Sequence, residues 1–191
     1  MSQLGHVFVL HCRFRDKNLF QRLRSGERHL LNLQLYLNAL EYREALLLSL
    51  TATRLRSRKG VPFMKWNQSL DLVVQLGLAH TERLVFQSFA SKATQPDAPR
   101  ILRVLAALYG VSIVLDDMAL LSAHNYFSAR KIRALYDERL RLCGVLRPHA
   151  LQLVEAFGID ESLMDAPIAG DWLAAHARGR IPGEDAATAK L

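Results

Sequence analysis

Leu146-Arg-Pro-His-Ala-Leu-Gln-Leu-Val-Glu-Ala-Phe-Gly158 is the stretch whose reading decides the fold. Pro148 fixes φ and lacks an N–H, which suits a first helical turn, where that donor has no intrahelical partner. Ala150, Leu151, Val154 and Phe157 recur at helical spacing, with Leu153 beside them. Gly158 can take the left-handed conformation that closes a helix. A short helix with marked ends follows. The same periodicity runs through most of the chain. The expected fold class is therefore all-α.

With 191 residues, half of them hydrophobic, the chain can bury a real core. The net charge of +7 favours anionic partners in principle. The basic residues, however, are scattered along helices and form no tract, so no nucleic-acid partner is expected. No apolar run reaches the roughly 18–20 residues of a membrane span. Val7–Leu10 is apolar but no positive segment precedes it, so a secretory signal is not expected either. Cys12 and Cys143 make no disulfide framework and read as buried or inert thiols in a reducing compartment.

Along the chain, residues 1–25 remain poorly assigned. His6, His11 and Cys12 lie close together, but no second ligand pair stands at matching spacing, so no metal site is expected. A long helix is expected from about Gly26, with Leu30, Leu33, Leu37, Leu40, Leu47 and Thr51 on one stripe and Leu31, Leu35, Leu46 and Leu50 widening it. Glu41 and Glu44 sit on or beside that stripe and are read as ion-pair partners of Arg43 or of a neighbouring helix. Arg54, Arg56, Arg58 and Lys59 complement the helix dipole before Gly60 and Pro62 stop it; binding a phosphate is the sharper use for them.

A second helix is expected from Met64 to Ser91. Trp66, Leu70, Val73, Gly77, His80 and Leu84 form one row, and Val74, Leu78, Val85 and Phe89 the next. Gly77 in mid-helix costs about 1 kcal/mol relative to Ala and predicts the close approach of another helix. His80 and Glu82 are two apart and share no face, so a local dyad is not expected. Asp97 is a candidate cap for a third helix, Ala98 to Leu121, with Pro99 in its first turn. The pair Asp116-Asp117 near its end is read as solvent-exposed. A turn at His124–Tyr126 precedes a basic helix from Ala129 to about Cys143, capped by Ser128, with Ile132, Leu135, Tyr136, Leu140 and Cys143 inward. Asp160 to Met164 reads as one further turn. Residues 173–191 read as a flexible tail.

Three stretches in order carry a family resemblance: Leu102-Arg-Val-Leu-Ala-Ala-Leu-Tyr-Gly110, then Leu146–Gly158, then Ala166-Pro-Ile-Ala-Gly170. Together they resemble the C-terminal domain of the peroxisomal acyl-CoA oxidases, which typically carry Leu-Arg-x-x-Ala-x-x-Leu-Val-Asp-Ala-Phe. Here Glu155 stands at the Asp. Ala79-His-Thr-Glu-Arg83 is similar to a further family segment. On this resemblance residues 26–172 are the family's C-terminal helical domain, an antiparallel bundle of about four to six helices. The terminal Ala189-Lys190-Leu191 resembles the Ser-Lys-Leu peroxisomal address, which an import receptor reads.

The resemblance implies an intact enzyme that holds FAD near a homodimer interface. That enzyme would convert acyl-CoA and O2 into trans-2-enoyl-CoA and hydrogen peroxide in peroxisomal fatty-acid β-oxidation. A glutamate would take the α-proton. No segment here matches the β-domain or the base region, so no catalytic residue and no flavin contact is assigned. Glu41, Glu82 and Glu155 are not nominated for that role. The chain is expected to lack the N-terminal flavin and acyl-CoA domains and not to retain FAD by itself. The alternative is a non-catalytic peroxisomal dimerisation or interaction module derived from that domain. Wide apolar stripes predict self-association.

Overall fold

A computed structural model of the chain describes residues 30–159, Leu163 and residues 170–177. Every extended element among them is helical, as the 3.6-residue periodicity requires. The chain divides into two units at Arg147/Pro148.

In the first unit, α1 (Leu33–Ser57) opens at Asn32, whose side chain accepts the Gln34 N–H at 3.0 Å. It closes before Gly60, at φ +113°, and Pro62. The expected second helix is two. A short α2 (Pro62–Asn67) is separated from α3 (Leu70–Ala93) by Gln68 and Ser69, and the buried Ser69 hydroxyl turns back to the Lys65 carbonyl at 2.9 Å. The third is also divided. α4 (Arg100–Asp116) stops at Asp117, and α5 (Met118–Ala123) resumes beyond it. Pro99, not Asp97, occupies the cap position of α4, and no side chain bonds there. Asn125 turns the chain at φ +54°, and Ser128 caps α6 (Ala129–Leu146) by accepting the Lys131 N–H at 3.2 Å.

α4 is the central helix, packed on α1, α3 and α6. Contacts between Arg43 and Glu82 and between Arg54 and Asp71 run in opposite order, so α1 and α3 are antiparallel. Small residues let α4 approach its neighbours: Ala106, Ala107 and Gly110 are all buried. A Cβ placed on Gly110 would meet the Phe86 ring at 2.6 Å and Tyr36 Cβ at 3.0 Å. Phe86 stands edge-on to Tyr36, with ring centres 6.3 Å apart, and Tyr109 lies beyond it. Gly110 is thus a glycine that close packing requires. Gly77 is not: nothing lies within 4 Å of a Cβ built there.

Two expected faces are corrected. On α3 the buried positions are Leu72, Ala79, Phe86 and Ala93, seven residues apart, while Leu70, Val74, Leu78, Leu84 and Val85 are exposed. Two of the inward positions are alanines, so a count that favours bulky side chains picks the outer face. On α6 the inward positions are Lys131, Leu135, Glu138, Leu142 and Leu146; Tyr136, Leu140 and Cys143 lie at the surface. Charged Lys131 and Glu138 hide this stripe from a hydrophobic pattern. Glu138 is held by a two-pronged bond from Arg141, at 2.7 and 2.8 Å.

A 3-10 turn (Arg147–His149) spans the division and leads into α7 (Ala150–Glu155) of the second unit, where Gly158 takes φ +60° as its position requires. Leu151, Val154 and Phe157 are exposed, Phe157 by 77%. α8 (Trp172–Ala177) crosses the boundary placed at residue 173, with the Ala174 N–H bonded to Asp171 at 2.9 Å. Residues 1–25, Asp160, Met164, Ala189, Lys190 and Leu191 lie outside the described residues.

Candidate functional site

The densest polar constellation lies where α1, α3 and the α4–α5 break meet. Arg43, on the inward stripe of α1, is only 2% exposed. Its Nη2 donates to Glu82 Oε2 at 2.6 Å and reaches the Ala79 carbonyl at 3.4 Å, and its Nη1 donates to Asp117 Oδ2. Two carboxylates on one guanidinium satisfy most of what burial takes from it. Arg43 Nε is buried with no hydrogen-bond partner among the described residues. A cavity of about 140 Å³ adjoins the cluster, lined by Gln75, Leu78, Asp116 and others. Nearby Tyr109 has its phenol raised, first by burial and then by the charge of Glu82.

One residue along α1, Glu44 makes a second cluster. His80 Nδ1 lies 2.7 Å from Glu44 Oε1, and Arg83 Nε donates to Glu44 Oε2. Arg83 also reaches Gln87 at 3.0 Å. Partial burial alone would raise the Glu44 carboxyl; hydrogen bonds from His80 and Arg83, and their charge, more than offset it and hold the group below the usual carboxylate range. Farther along, Arg54 grips both oxygens of Asp71 at 2.6 and 2.7 Å, which lowers that carboxyl too.

These clusters tie α1 to α3 and to the α4–α5 break. Each carboxylate they contain is already taken by a cation, and no nucleophile stands beside a base. A general base needs a free carboxylate within reach of a substrate proton, and the clusters offer none. Among the described residues no group of His, Cys, Asp or Glu has the arrangement of a metal site. No helix of the described residues is long and apolar enough to cross a membrane.

The larger groove, about 540 Å³, runs between the start of α1 and the end of α3. Its lining includes Leu33, Leu37, Gln87, Thr94 and a single cation, Arg103, and no aromatic ring. Without an aromatic face for a flavin ring system to pack on, the groove's side chains do not fit FAD.

Glu44 is an ion-pair partner of a neighbouring helix, as the sequence reading has it, although of α3 and not of Arg43. His80 and Glu82 do not meet; they serve separate clusters. Asp116 is exposed as expected, and the Asp117 side chain is 43% exposed while it also binds the buried Arg43. Arg54 is engaged with Asp71, which takes it from any phosphate role. Glu155 is exposed. Arg43 itself is the residue sequence reasoning passes over. The signal was its position four residues before Leu47 and three after Leu40, on the wide stripe of α1.

Comparison with known proteins bears on this arrangement. The family model for acyl-CoA oxidase matches residues 32–170, more than half of the chain. The peroxisomal acyl-coenzyme A oxidase 3 of Arabidopsis thaliana is 34% identical over 112 residues, 57% of this chain and 16% of that protein. The acyl-coenzyme A oxidase-like protein of Mus musculus is 26% identical over 141 residues, 70% of this chain and 22% of that protein. The human peroxisomal acyl-coenzyme A oxidase 3 is 33% identical over 98 residues, covering 49% of this chain and 14% of that protein. The chain therefore spans less than a quarter of the length of these relatives. No solved structure matches. By the extent of the family match, and with an all-helical fold that agrees with it, the chain belongs to the acyl-CoA oxidase family.

Proposed function

We propose that this chain serves as the C-terminal helical domain of an FAD-dependent acyl-CoA oxidase of peroxisomal β-oxidation. In that reading the whole enzyme converts acyl-CoA and O2 into trans-2-enoyl-CoA and hydrogen peroxide. The base and most flavin contacts come from polypeptide outside the matched region. This chain's residues brace that assembly. The observation that carries the reading is the family match over residues 32–170 on a domain whose Glu44, Glu82 and Asp117 carboxylates are spent on ion pairs between helices. The exposed apolar side chains of α7, Leu151, Val154 and Phe157, support it as surfaces for neighbouring polypeptide. Ala189-Lys190-Leu191 would send the protein to the peroxisome through its import receptor.

The test has two arms. Purified alone, the chain should be colourless and release no peroxide on addition of acyl-CoA. Co-expressed with the flavin-containing part of an acyl-CoA oxidase lacking its own C-terminal domain, it should join a yellow complex that releases peroxide. Peroxide from the chain alone would overturn the assignment of the chemistry to other polypeptide. Failure to join any flavin-containing complex would favour the second reading, a non-catalytic helical interaction module. That reading rests on the outer face of α3. For the address, removing residues 189–191 should abolish import of a fluorescent fusion into peroxisomes.

A further inference from the structure

The connection from α1 through α2 sets free cations beside exposed apolar side chains. Between residues 45 and 70 the chain has no carboxylate and five cations, Arg54, Arg56, Arg58, Lys59 and Lys65. Arg54 is held by Asp71. The other four make no ion pair with a described residue, and Arg56, Arg58 and Lys59 are exposed. Next to them stand Val61, Phe63, Met64 and Trp66, all exposed, Phe63 by 73%. No side chain of α2 is buried.

Local bonds fix this arrangement. Gly60 turns the chain so that a Cβ built on it would lie 3.9 Å from Met64 Cβ, which brings the cations ending α1 close to the start of α2. The Gln68 N–H donates to the Met64 carbonyl at 3.0 Å, and the Ser69 N–H to the Trp66 carbonyl at 2.9 Å. With the Ser69 hydroxyl on the Lys65 carbonyl, these bonds tie α2 to the start of α3. At about 100° per residue, Trp66, Phe63 and Met64 span an arc of about 160°, and Lys65 falls on the far side. Two rings and a thioether thus share one side of α2, with cations before and behind them.

A soluble polyanion would satisfy the cations and leave Val61 and Met64 in water. An anionic lipid surface takes both sets of groups. Its headgroups attract Arg56, Arg58, Lys59 and Lys65, its acyl boundary accepts Val61, Phe63 and Met64, and an indole such as that of Trp66 favours the headgroup level. Long cationic side chains can lay their stems on the apolar layer and keep their charges in water. With six residues, α2 can lie in such a surface and cannot span it. We infer that residues 56–66 form a docking site for an anionic lipid membrane. The inference stands apart from the oxidase reading, since flavin colour and peroxide release play no part in its test.

The full chain should float with vesicles of phosphatidylcholine containing about one-third phosphatidylserine, and stay in solution with phosphatidylcholine alone. In a Trp172→Phe chain, Trp66 emission should shift to the blue on binding and be quenched by lipids brominated in the acyl chain. Arg58→Gln with Lys59→Gln should weaken binding to the anionic vesicles about tenfold or more, at about fivefold per cation. Phe63→Ser should weaken it about tenfold. Because that ring is mostly in water, the urea midpoint should not move. Absence of flotation with anionic vesicles would overturn the inference. So would flotation without quenching of Trp66, or binding indifferent to Phe63→Ser, either of which would mark a site that reads charge alone. Release of the chain from vesicles by millimolar inorganic phosphate, at constant ionic strength, would assign the cations to a soluble phosphate instead.

Discussion

The two faces of α3 are built on different rules. Its inner face is sparse in bulk: Leu72 and Phe86 alternate with Ala79 and Ala93, and Phe86 presses against a glycine of α4. Its outer face carries more large apolar residues, yet meets nothing that is described. Each face has a glycine nearby, and the two have opposite meanings. Gly110 is fixed by what already surrounds it. Gly77 is open. Burial here tracks close approach and charge neutralisation more than side-chain size, because a helix pair gains contact by bringing backbones together.

This contrast can be broken or sharpened by substitution. The largest effect should come from stripping the buried Arg43 of its anions. Glu82→Gln with Asp117→Asn keeps the shapes and leaves a nearly buried cation without a counter-charge, at a cost of about 3 kcal/mol in urea unfolding. A loss below about 1 kcal/mol would show that water reaches the guanidinium and that the inner region is looser than described.

Gly110→Ala comes next, with an expected loss of about 1–3 kcal/mol, since the added methyl must displace the Phe86 ring or Tyr36. A neutral result would remove the distinction between the two glycines.

A smaller effect should follow pH. Burial lowers the Lys131 ammonium from 10.5 to about 8. Between those values the unfolded chain binds more protons than the folded one, so stability should rise as pH increases from about 8 toward 10. Partial solvation limits the gain to about 1 kcal/mol. Denaturant titrations across that range should show the rise in the parent chain and not in Lys131→Met.

The smallest effect belongs to the outer face. Gly77→Ala should stabilise the protomer by about 0.5–1 kcal/mol, measured under conditions where the chain is monomeric. Destabilisation there would reveal a neighbour packed on Gly77 and bring the two faces of α3 under one rule.

Much of the local structure was legible in the residues. Ser128 capping α6, the Gly60–Pro62 stop after α1 and the Gly158 turn after α7 are set by groups within a few residues of one another. The breaks at Ser69 and Asp117 were not legible. Asp117 is held by Arg43, which is 74 residues away in sequence. The Asp97 cap also failed, because Pro99 takes the cap position instead. Glu44 was correctly read as an ion-pair partner, but its cations, His80 and Arg83, could be named only once α1 and α3 were laid antiparallel.

The sequence by itself determined that the chain is helical, where several helix ends lie, and which family its motifs resemble. Those are matters of short-range sterics and of pattern. Which side of α3 and α6 turns inward was decided only in the folded molecule. There small residues admit a neighbour, and a charge such as Glu138 can be buried when a cation, here Arg141, compensates it.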